Sequence, residues 1–245
     1  MPSQIQLNNI SYAFNNVKLF SNVNFTVSSG QVVILMGRSG SGKSTLLEIS
    51  AGLKEPLSGG VLWDGKDTRD LSVPELTAER RKVGFVFQHH ALISNMTVFD
   101  NIALPLRYHS AMPDKTLQVM VNQHLDKFEI AELRDKLPEA LSVGQARLVS
   151  IARALLMRPE FLFLDEPISG LDPVIARKII AILFKLSKQS DLTILMVSHI
   201  INFIERLQCP LLFLNNETTT YYESIDRFRK EEEAIDFVSS IDGIV

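Results

Sequence analysis

The chain has 245 residues, of which 46% are hydrophobic and 22% charged, and its formal net charge is −3. Such a chain can bury a substantial core, and it lacks the basic excess that favours nucleic-acid binding, so no nucleic-acid partner is expected. Cys209 is the single cysteine, which excludes an intrachain disulfide and a cysteine metal cluster. The sequence begins without signal-peptide features and has no apolar run approaching a membrane span of ~20 residues. Work at a membrane would therefore need another chain.

The first 30 residues predict antiparallel strands. Apolar residues alternate with polar ones at Ile5 and Leu7, and again at Val23, Phe25 and Val27. This period of two is typical of strands with one buried face.

An apolar stretch at residues 32–36 runs into a glycine-rich loop that matches G-x-x-x-x-G-K-[ST]. Its residues are Gly37, Arg38, Ser39, Gly40, Ser41, Gly42, Lys43, Ser44 and Thr45. Backbone N–H groups of such a loop, with the start of the following helix, can hold phosphate. Lys43 would reach the β- and γ-phosphates, and the Ser44 hydroxyl would bind Mg²⁺. The alternative, a Gly/Ser surface turn, is disfavoured by the strand–loop–helix context. The loop predicts nucleoside triphosphate binding.

Residues 97–153 contain no convincing strand and predict helices, interrupted by Pro105, Pro113 and Pro138. Residues 141–145 lead directly into a helical run at 146–157. On pattern alone, Ser142 and Gly144 indicate a helix cap more than an anion-binding site.

Two further apolar runs, at 161–164 and 193–197, join 32–36 as strands buried on both faces, which indicates a parallel sheet covered by helices. Residues 174–186 have the spacing of an amphipathic helix.

Asp165 and Glu166 follow the apolar run at 161–164, and His199 follows the run at 193–197. In a chain with a phosphate loop, we expect Asp165 to serve Mg²⁺ and Glu166 to orient or polarise an attacking water. His199 is expected to contact the γ-phosphate and to hold Glu166 and the water in register. The alternative for Asp165–Glu166 is an ordinary loop.

The end of the sequence predicts a hairpin, with strands at 209–214 and 218–222 joined through Asn215 and Asn216. The charged residues 227–233 indicate a solvated helix face. The predicted architecture is a nucleotide-binding α/β core with a helical insertion.

These motifs together resemble the ATP-binding cassette (ABC) ATPases over nearly the whole chain. Residues 37–45 correspond to Walker A, 161–166 to Walker B with Glu166 as catalytic glutamate, and 169–173 to the D-loop with Asp172. Gln88 takes the Q-loop position, and His199 the H-loop switch. Ser142, Gly144 and Gln145 fall in the LSGGQ signature. Phe14 falls where the family stacks an aromatic ring on adenine, with Tyr12 as the alternative.

The resemblance implies an α/β ABC ATPase nucleotide-binding domain over residues 1–245. It has a RecA-like P-loop core, an N-terminal antiparallel β-subdomain and a helical subdomain at about 89–155. It implies that ATP and Mg²⁺ are bound, and that Ser44, Gln88 and Asp165 contact the Mg²⁺ ion. Two copies would sandwich two ATP molecules head to tail, each signature completing the other copy's site.

Two departures from the family pattern concern the signature: Val143 replaces its first glycine, and Leu148 stands where many members carry arginine. A valine has fewer allowed φ/ψ conformations than the glycine it replaces, so Val143 is expected to restrict the backbone of this loop. We therefore predict that the chain hydrolyses ATP at a modest rate.

Residues 88–107 are similar to the Q-loop region of MlaF-type ATPases, as are Ala146-Arg147 and the ending 235–243. This narrower resemblance implies phospholipid transport at the cytoplasmic face of a Gram-negative inner membrane. The partners would be an MlaE-like permease, an MCE-domain lipid carrier and a small STAS-domain subunit, with the membrane reached only through the permease. His89 and His90 are read as docking contacts rather than metal ligands.

Three alternatives stay open: an ABC ATPase for another cargo, such as lipoprotein release or a small solute, a non-transport ABC protein, and a regulatory subunit without productive turnover. The MlaF-like stretch disfavours the first. A single cassette with net negative charge disfavours the second, and intact Lys43, Asp165, Glu166 and His199 disfavour the third.

Overall fold

The computed structural model describes residues 4–215, 217–231, 234 and 237. Its strands are β1 (Ile5–Phe14), β2 (Val17–Val27), β3 (Val32–Gly37), β4 (Ser58–Trp63), β5 (Lys66–Asp67), β6 (Val83–Val86), β7 (Phe161–Asp165), β8 (Thr193–Val197), β9 (Leu211–Asn215) and β10 (Thr218–Tyr222). Its α-helices are α1 (Lys43–Ser50), α2 (Val73–Arg80), α3 (Val98–His109), α4 (Asp114–Lys127), α5 (Val143–Leu155), α6 (Pro173–Leu186), α7 (Ile201–Leu207) and α8 (Ile225–Phe228). Short 3₁₀ helices lie at Ala131–Leu133 and Pro138–Ala140.

The strands form two sheets. A six-stranded sheet has the order β10-β9-β3-β8-β7-β6, in which β9, β3, β8, β7 and β6 are parallel and β10 pairs antiparallel with β9. A four-stranded antiparallel sheet has the order β2-β1-β4-β5. The predicted α/β fold, with its N-terminal antiparallel sheet and its helical segment, is confirmed.

The central strands are mostly apolar because each of them faces two cores. In β3, Val32, Ile34 and Met36 pack on the side of α3 to α7, whereas Val33 and Leu35 pack on the side of α1 and the antiparallel sheet. Strands β7, β8 and β9 divide their side chains in the same alternating way. Strand pleating sends successive side chains to opposite faces, so one strand serves both cores.

The region between β6 and β7 is helical as predicted, with α3, α4 and α5 and the two 3₁₀ helices. Pro113 is the N-cap of α4, and Pro138 begins a 3₁₀ helix. The prediction was wrong at Pro105, which lies inside α3 without ending it. The proline removes one N–H donor, and burial of the α3 face that carries Ile102 and Leu106 outweighs that loss. The grouping of residues 89–155 as a subdomain of one 245-residue domain stays a prediction.

The predicted hairpin near the end of the chain is confirmed as β9 and β10, with position 216 outside the described residues. The predicted helix over 227–233 is shorter than expected, since α8 ends at Phe228, and residues 232 and 233 lie outside the described residues. Phe228 is fully buried against Phe213, so this segment is anchored by an apolar side chain. The resemblance at residues 235–243 falls almost wholly outside the described residues.

Candidate functional site

The glycine-rich loop connects β3 to α1 at the carboxyl edge of the parallel sheet. A Cβ on Gly37 would lie 2.5 Å from the carbonyl oxygen of Leu214 on β9, and Gly42 precedes α1 with φ +95°. Glycine is therefore required at both ends of the loop, once for a close approach and once for a left-handed backbone. The loop is held close to the sheet at Gly37 and enters α1 through Gly42.

Lys43 is the first residue of α1, and its side chain returns across the loop. Its Nζ donates to the carbonyl oxygens of Gly37, at 2.9 Å, and Arg38, at 2.8 Å. Burial lowers the pKa of Lys43, and the nearby carboxylates of Glu166 and Asp165 oppose that shift. The amine is thus a partly desolvated charge beside two acidic groups, at the place predicted for it.

Ser44 and Asp165, predicted together as Mg²⁺ ligands, lie in direct contact. Ser44 Oγ donates to Asp165 Oδ1 at 3.1 Å, joining the start of α1 to the end of β7. Burial raises the pKa of Asp165, and the hydrogen bond from Ser44 opposes this. A hydroxyl and a carboxylate oxygen at one point form the hard-oxygen donor set that Mg²⁺ prefers. The residues fit that ion.

Glu166 is held in an unusual backbone conformation, with φ +47°, and its N–H donates to the Val197 carbonyl at the end of β8. Its Oε1 lies 2.7 Å from His199 Nδ1. The hydrogen bond to Glu166 raises the pKa of His199, with burial opposing. Glu166 Oε2 is buried and has no hydrogen-bond partner among the described residues. A buried carboxylate oxygen is left able to accept a proton or a hydrogen bond.

Gln88 follows β6, which pairs with β7 so that Val86 lies opposite Leu164. The loops that carry Gln88 and Glu166 consequently leave the same edge of the sheet. Gln88 is exposed, and within the described residues it makes no hydrogen bond to Ser44 or Asp165; its carbonyl accepts from Arg147 Nη2. The structure brings Gln88 to the predicted edge without joining it to the predicted metal ligands.

The signature residues form the start of α5. Ser142 is the N-cap: its Oγ accepts from Gln145 N at 3.2 Å, and Gln145 Oε1 accepts from Ser142 N at 3.0 Å. Val143 is the first helical residue, is 57% exposed, and has no left-handed backbone. Any L-residue adopts this conformation, so Val143 fits the described backbone without strain, and the modest hydrolysis expected from Val143 stays a prediction. Gly144 is buried against α6, where a Cβ would lie 2.8 Å from Ile175 Cγ2.

Asp172 is the N-cap of α6, accepting hydrogen bonds from the N–H groups of Val174 and Ile175. Asp172, the predicted D-loop residue, therefore also has a structural role: its side chain caps α6 and fixes where that helix begins. Because Ile175 also contacts Gly144, the starts of α5 and α6 are fixed against each other.

A pocket of about 380 Å³ extends from the phosphate loop toward the antiparallel sheet. Its lining residues are Tyr12, Phe14, Leu19, Gly40, Gly42, Lys43, Ser44, Thr45 and Lys54. Phe14 is 61% exposed, whereas the Tyr12 ring stacks on Phe20 with centroids 6.1 Å apart. This arrangement favours Phe14 over Tyr12, and stacking on adenine stays a prediction. Lys54, which the sequence analysis missed, carries no motif that would have indicated it.

The adjacent histidines His89 and His90 lie in the loop after β6. Across the described residues, no group of three or more His, Cys, Asp or Glu side chains could hold a metal ion, and the docking role of these histidines stays a prediction. Among the described helices, none combines the length and apolarity needed to cross a membrane.

A family profile described as "ABC transporter" matches residues 20–169. The chain belongs to the ABC transporter family. An ABC cassette of this kind is a P-loop ATPase, with ATP as its nucleotide and Mg²⁺ as its ion.

The solved dimeric cassette MJ0796 is similar in structure, with a TM-score of 0.82 and 34% identity over 89% of this chain and 98% of that one. A post-hydrolysis state of MJ0796 bound to ADP and Pi has a TM-score of 0.81 and 33% identity, with the same coverage. At this identity and coverage, the match extends the family assignment beyond the profile to most of the cassette.

Curated relatives include three import ATP-binding proteins. The methionine import protein MetN of Haemophilus ducreyi is 40% identical over 83% of this chain and 60% of its own length. MetN 1 of Listeria innocua is 38% identical over 83% of this chain and 61% of its own. The sulfate/thiosulfate import protein CysA of Pectobacterium atrosepticum is 39% identical over 80% of this chain and 58% of its own.

The cassette thus spans about three-fifths of the length of these curated relatives. Their names support the expected ABC ATPase; the cargoes that these names print are methionine and sulfate/thiosulfate, not phospholipid.

Proposed function

We propose that the cassette is the ATP-hydrolysing subunit of a membrane transporter and works as a head-to-tail homodimer with two ATP molecules between the copies. One observation carries the proposal: the Glu166–His199 contact of 2.7 Å lies at the same sheet edge as the Ser44–Asp165 contact of 3.1 Å. A group able to accept a proton thereby stands beside a group able to hold a cation.

The phosphate end of the site assigns separate tasks to neighbouring residues. The loop at 37–45 would hold the phosphates through its N–H groups, with Lys43 compensating charge on the β- and γ-phosphates. Ser44 and Asp165 would bind Mg²⁺, with Gln88 completing the set from β6. Mg²⁺, when bound, neutralises charge that develops on the transferred phosphoryl group.

Glu166 would orient the attacking water and accept its proton, and this role suits a buried carboxylate oxygen without another partner. His199 holds the other carboxylate oxygen and limits the rotation of Glu166. Phe14 would stack on adenine at the mouth of the pocket. Ser142, Gly144 and Gln145 would approach the γ-phosphate of the second copy, with Asp172 holding the start of α6 beside them.

The partner would be a permease that docks near Gln88 and holds the cassette at the cytoplasmic face of the inner membrane. We propose a small solute as the cargo class, supported by the cassette's 37–40% identity to methionine and sulfate/thiosulfate import proteins. Phospholipid transport with an MlaE-like permease, an MCE-domain carrier and a STAS-domain subunit is the second candidate. The residues that favour it are 88–107.

The test is Glu166→Gln, which removes the proton acceptor while preserving shape. The variant should bind ATP, stop hydrolysing it and accumulate as an ATP-bound dimer, measured by size-exclusion chromatography with light scattering. Glu132→Gln, an exposed change, is the matched control and should behave as the unmodified chain. If Glu166→Gln hydrolyses ATP normally or stays monomeric with Mg-ATP, the proposed mechanism is wrong.

Affinity purification of the Glu166→Gln chain from native membranes then identifies the cargo class. Recovery of a permease with an MCE-domain protein would replace the small-solute proposal by phospholipid transport. Recovery of a solute permease would support the proposal. Recovery of no membrane protein would contradict both and favour a non-transport ABC protein.

A further inference from the structure

A charged side chain is buried in the first half of α5, the helix that carries the signature. Arg147 is only 3% exposed. Its Nη1 donates to the Phe87 carbonyl at 2.8 Å and lies 3.5 Å from the Asp165 carbonyl, while Nη2 donates to the Gln88 carbonyl. Its head group therefore lies between the carboxyl ends of β6 and β7, on the loops that carry Gln88 and Glu166.

Stability alone is a weak reason for an arginine at this position. Burial lowers the pKa of Arg147, and its Nε is buried without a hydrogen-bond partner among the described residues. Desolvating a guanidinium is costly, and apolar side chains of similar volume often replace buried charges with no loss of stability. What an apolar side chain cannot supply is a planar, rigid set of donors that holds several carbonyls at fixed positions.

The neighbouring residue shows that the direction of the side chain matters. Leu148 is 1% exposed and packs into the apolar core. Consecutive residues project about 100° apart around a helix with 3.6 residues per turn. Position 147, rather than 148, is thus the one that faces the ends of β6 and β7.

A second arginine on α5 contacts the same loop farther along. Arg153 lies 3.4 Å from the His90 carbonyl and 3.5 Å from Asn101 Oδ1. Asn101 is itself fully buried and bonds the backbone of Ile93 in both directions. The loop from β6 to α3 is therefore attached to α5 at two points, of which Arg147 has the shorter bonds and lies nearer Ser142.

We propose that Arg147 is a positioning residue for ATP hydrolysis, joining the loop at Gln88, the end of β7 and the start of α5 into one unit. Displacement of Gln88 would then move Ser142, because the buried Arg147 bonds the Gln88 carbonyl and lies on the helix that Ser142 caps. The proposal rests on the proposed function, in which Gln88 and Ser142 serve ATP, and it adds the residue that links them.

The test compares Arg147→Met, Arg147→Lys and the control Ser150→Ala in the full chain. Ser150 is a buried residue of the same helix whose Oγ has no hydrogen-bond partner among the described residues. Steady-state ATP hydrolysis gives kcat and KM, trinitrophenyl-ATP gives nucleotide affinity, and hydrogen exchange reports on residues 87–97.

Arg147→Met should lower kcat by about tenfold to a hundredfold, the effect of misplacing reacting groups by about 1 Å. KM and analogue affinity should stay within about twofold, since Lys43 and Ser44 are untouched. Exchange should rise at 87–97 and at the start of α5 but not in α1. Arg147→Lys keeps the charge but loses the planar guanidinium, so its kcat should lie between those of Arg147→Met and the unmodified chain. Ser150→Ala should have the kcat and KM of the unmodified chain.

An unchanged kcat in Arg147→Met would overturn the inference, as would an even rise in exchange across the cassette with kcat and KM falling together. If Arg147→Met does not fold, Arg147→Lys decides: reduced kcat with unchanged KM and melting temperature supports the inference, and normal kcat overturns it. Should the unmodified chain hydrolyse no ATP, the proposed function fails. The exchange pattern then decides separately whether Arg147 joins the three segments: a local rise in Arg147→Met supports that link, and no local rise overturns it.

Discussion

Replacing Gly144 by alanine tests the tight contact between α5 and α6. The added Cβ would lie 2.8 Å from Ile175 Cγ2 and 3.1 Å from Ile175 Cβ and Cγ1, whereas carbon contacts are optimal near 3.5–4.0 Å. Ile175 is β-branched within a helix and cannot easily rotate away. Overpacking of this kind costs about 1–3 kcal/mol, and alanine in a helix returns about 1 kcal/mol relative to glycine. The expected net loss is about 1 kcal/mol.

Urea unfolding of four chains measures this: the unmodified cassette, Gly144→Ala, Ile175→Ala and the double variant. In the Ile175→Ala background, both Cγ atoms are gone and only the Cβ contact of 3.1 Å remains, so Gly144→Ala should become neutral or stabilising by up to about 1 kcal/mol. ATP hydrolysis should fall in Gly144→Ala and recover in the double variant, because the contact also sets the start of α6 at Asp172. If Gly144→Ala stabilises both backgrounds equally, the contact is not tight and the reasoning fails.

Two further predictions concern His199 and Phe14. The hydrogen bond to Glu166 raises the pKa of His199 above its usual 6.5, so this pair stabilises the fold below about pH 6.5, and the contribution disappears as pH rises through the raised pKa. Urea unfolding should therefore show a larger stability difference between the unmodified cassette and His199→Gln at pH 6 than at pH 9; an equal or reversed difference would contradict this. Phe14→Ala should weaken trinitrophenyl-ATP binding by about 0.5–1.5 kcal/mol while Phe14→Tyr keeps it, and equal binding by both would transfer the stacking role elsewhere.

The predictable parts of the fold are those in which the local pattern of apolar residues indicates burial. β3, β7 and β8 are buried at every position and, apart from Asp165 and Thr193 at strand ends, apolar, as expected of strands covered on both faces. The phosphate loop and the residues after β7 and β8 were predictable because they combine a local motif with a strand end. For the same reason, Ser44 with Asp165, and Glu166 with His199, could be expected to meet.

Strand β4 could not be predicted, because its sequence is that of a loop. It contains Gly59 and Gly60, which normally weaken strands, yet a Cβ on Gly59 would lie 2.4 Å from the Asn9 carbonyl oxygen. Glycine is needed there because β1 and β4 approach closely, and only the folded structure reveals this neighbour.

The buried polar residues were equally hidden from the sequence. Arg147 and Asn101 satisfy backbone groups that are distant in sequence or in irregular loops, and the hydrophobic pattern carries no trace of such contacts. Pro105 within α3 shows the opposite case, in which tertiary burial overrides a local rule that is otherwise sound.

The alternation of side chains along β3, β7 and β8 has a consequence for how such a cassette diversifies. A substitution at Ile34 perturbs the layer next to the helices, and one at Leu35 perturbs the layer next to the phosphate loop. Changes in separate layers share few neighbours, so their effects on stability should be nearly additive. Related cassettes could thus accumulate substitutions in the core layer next to the helices while the core layer next to the phosphate loop stays unchanged. One set of strands supports both layers.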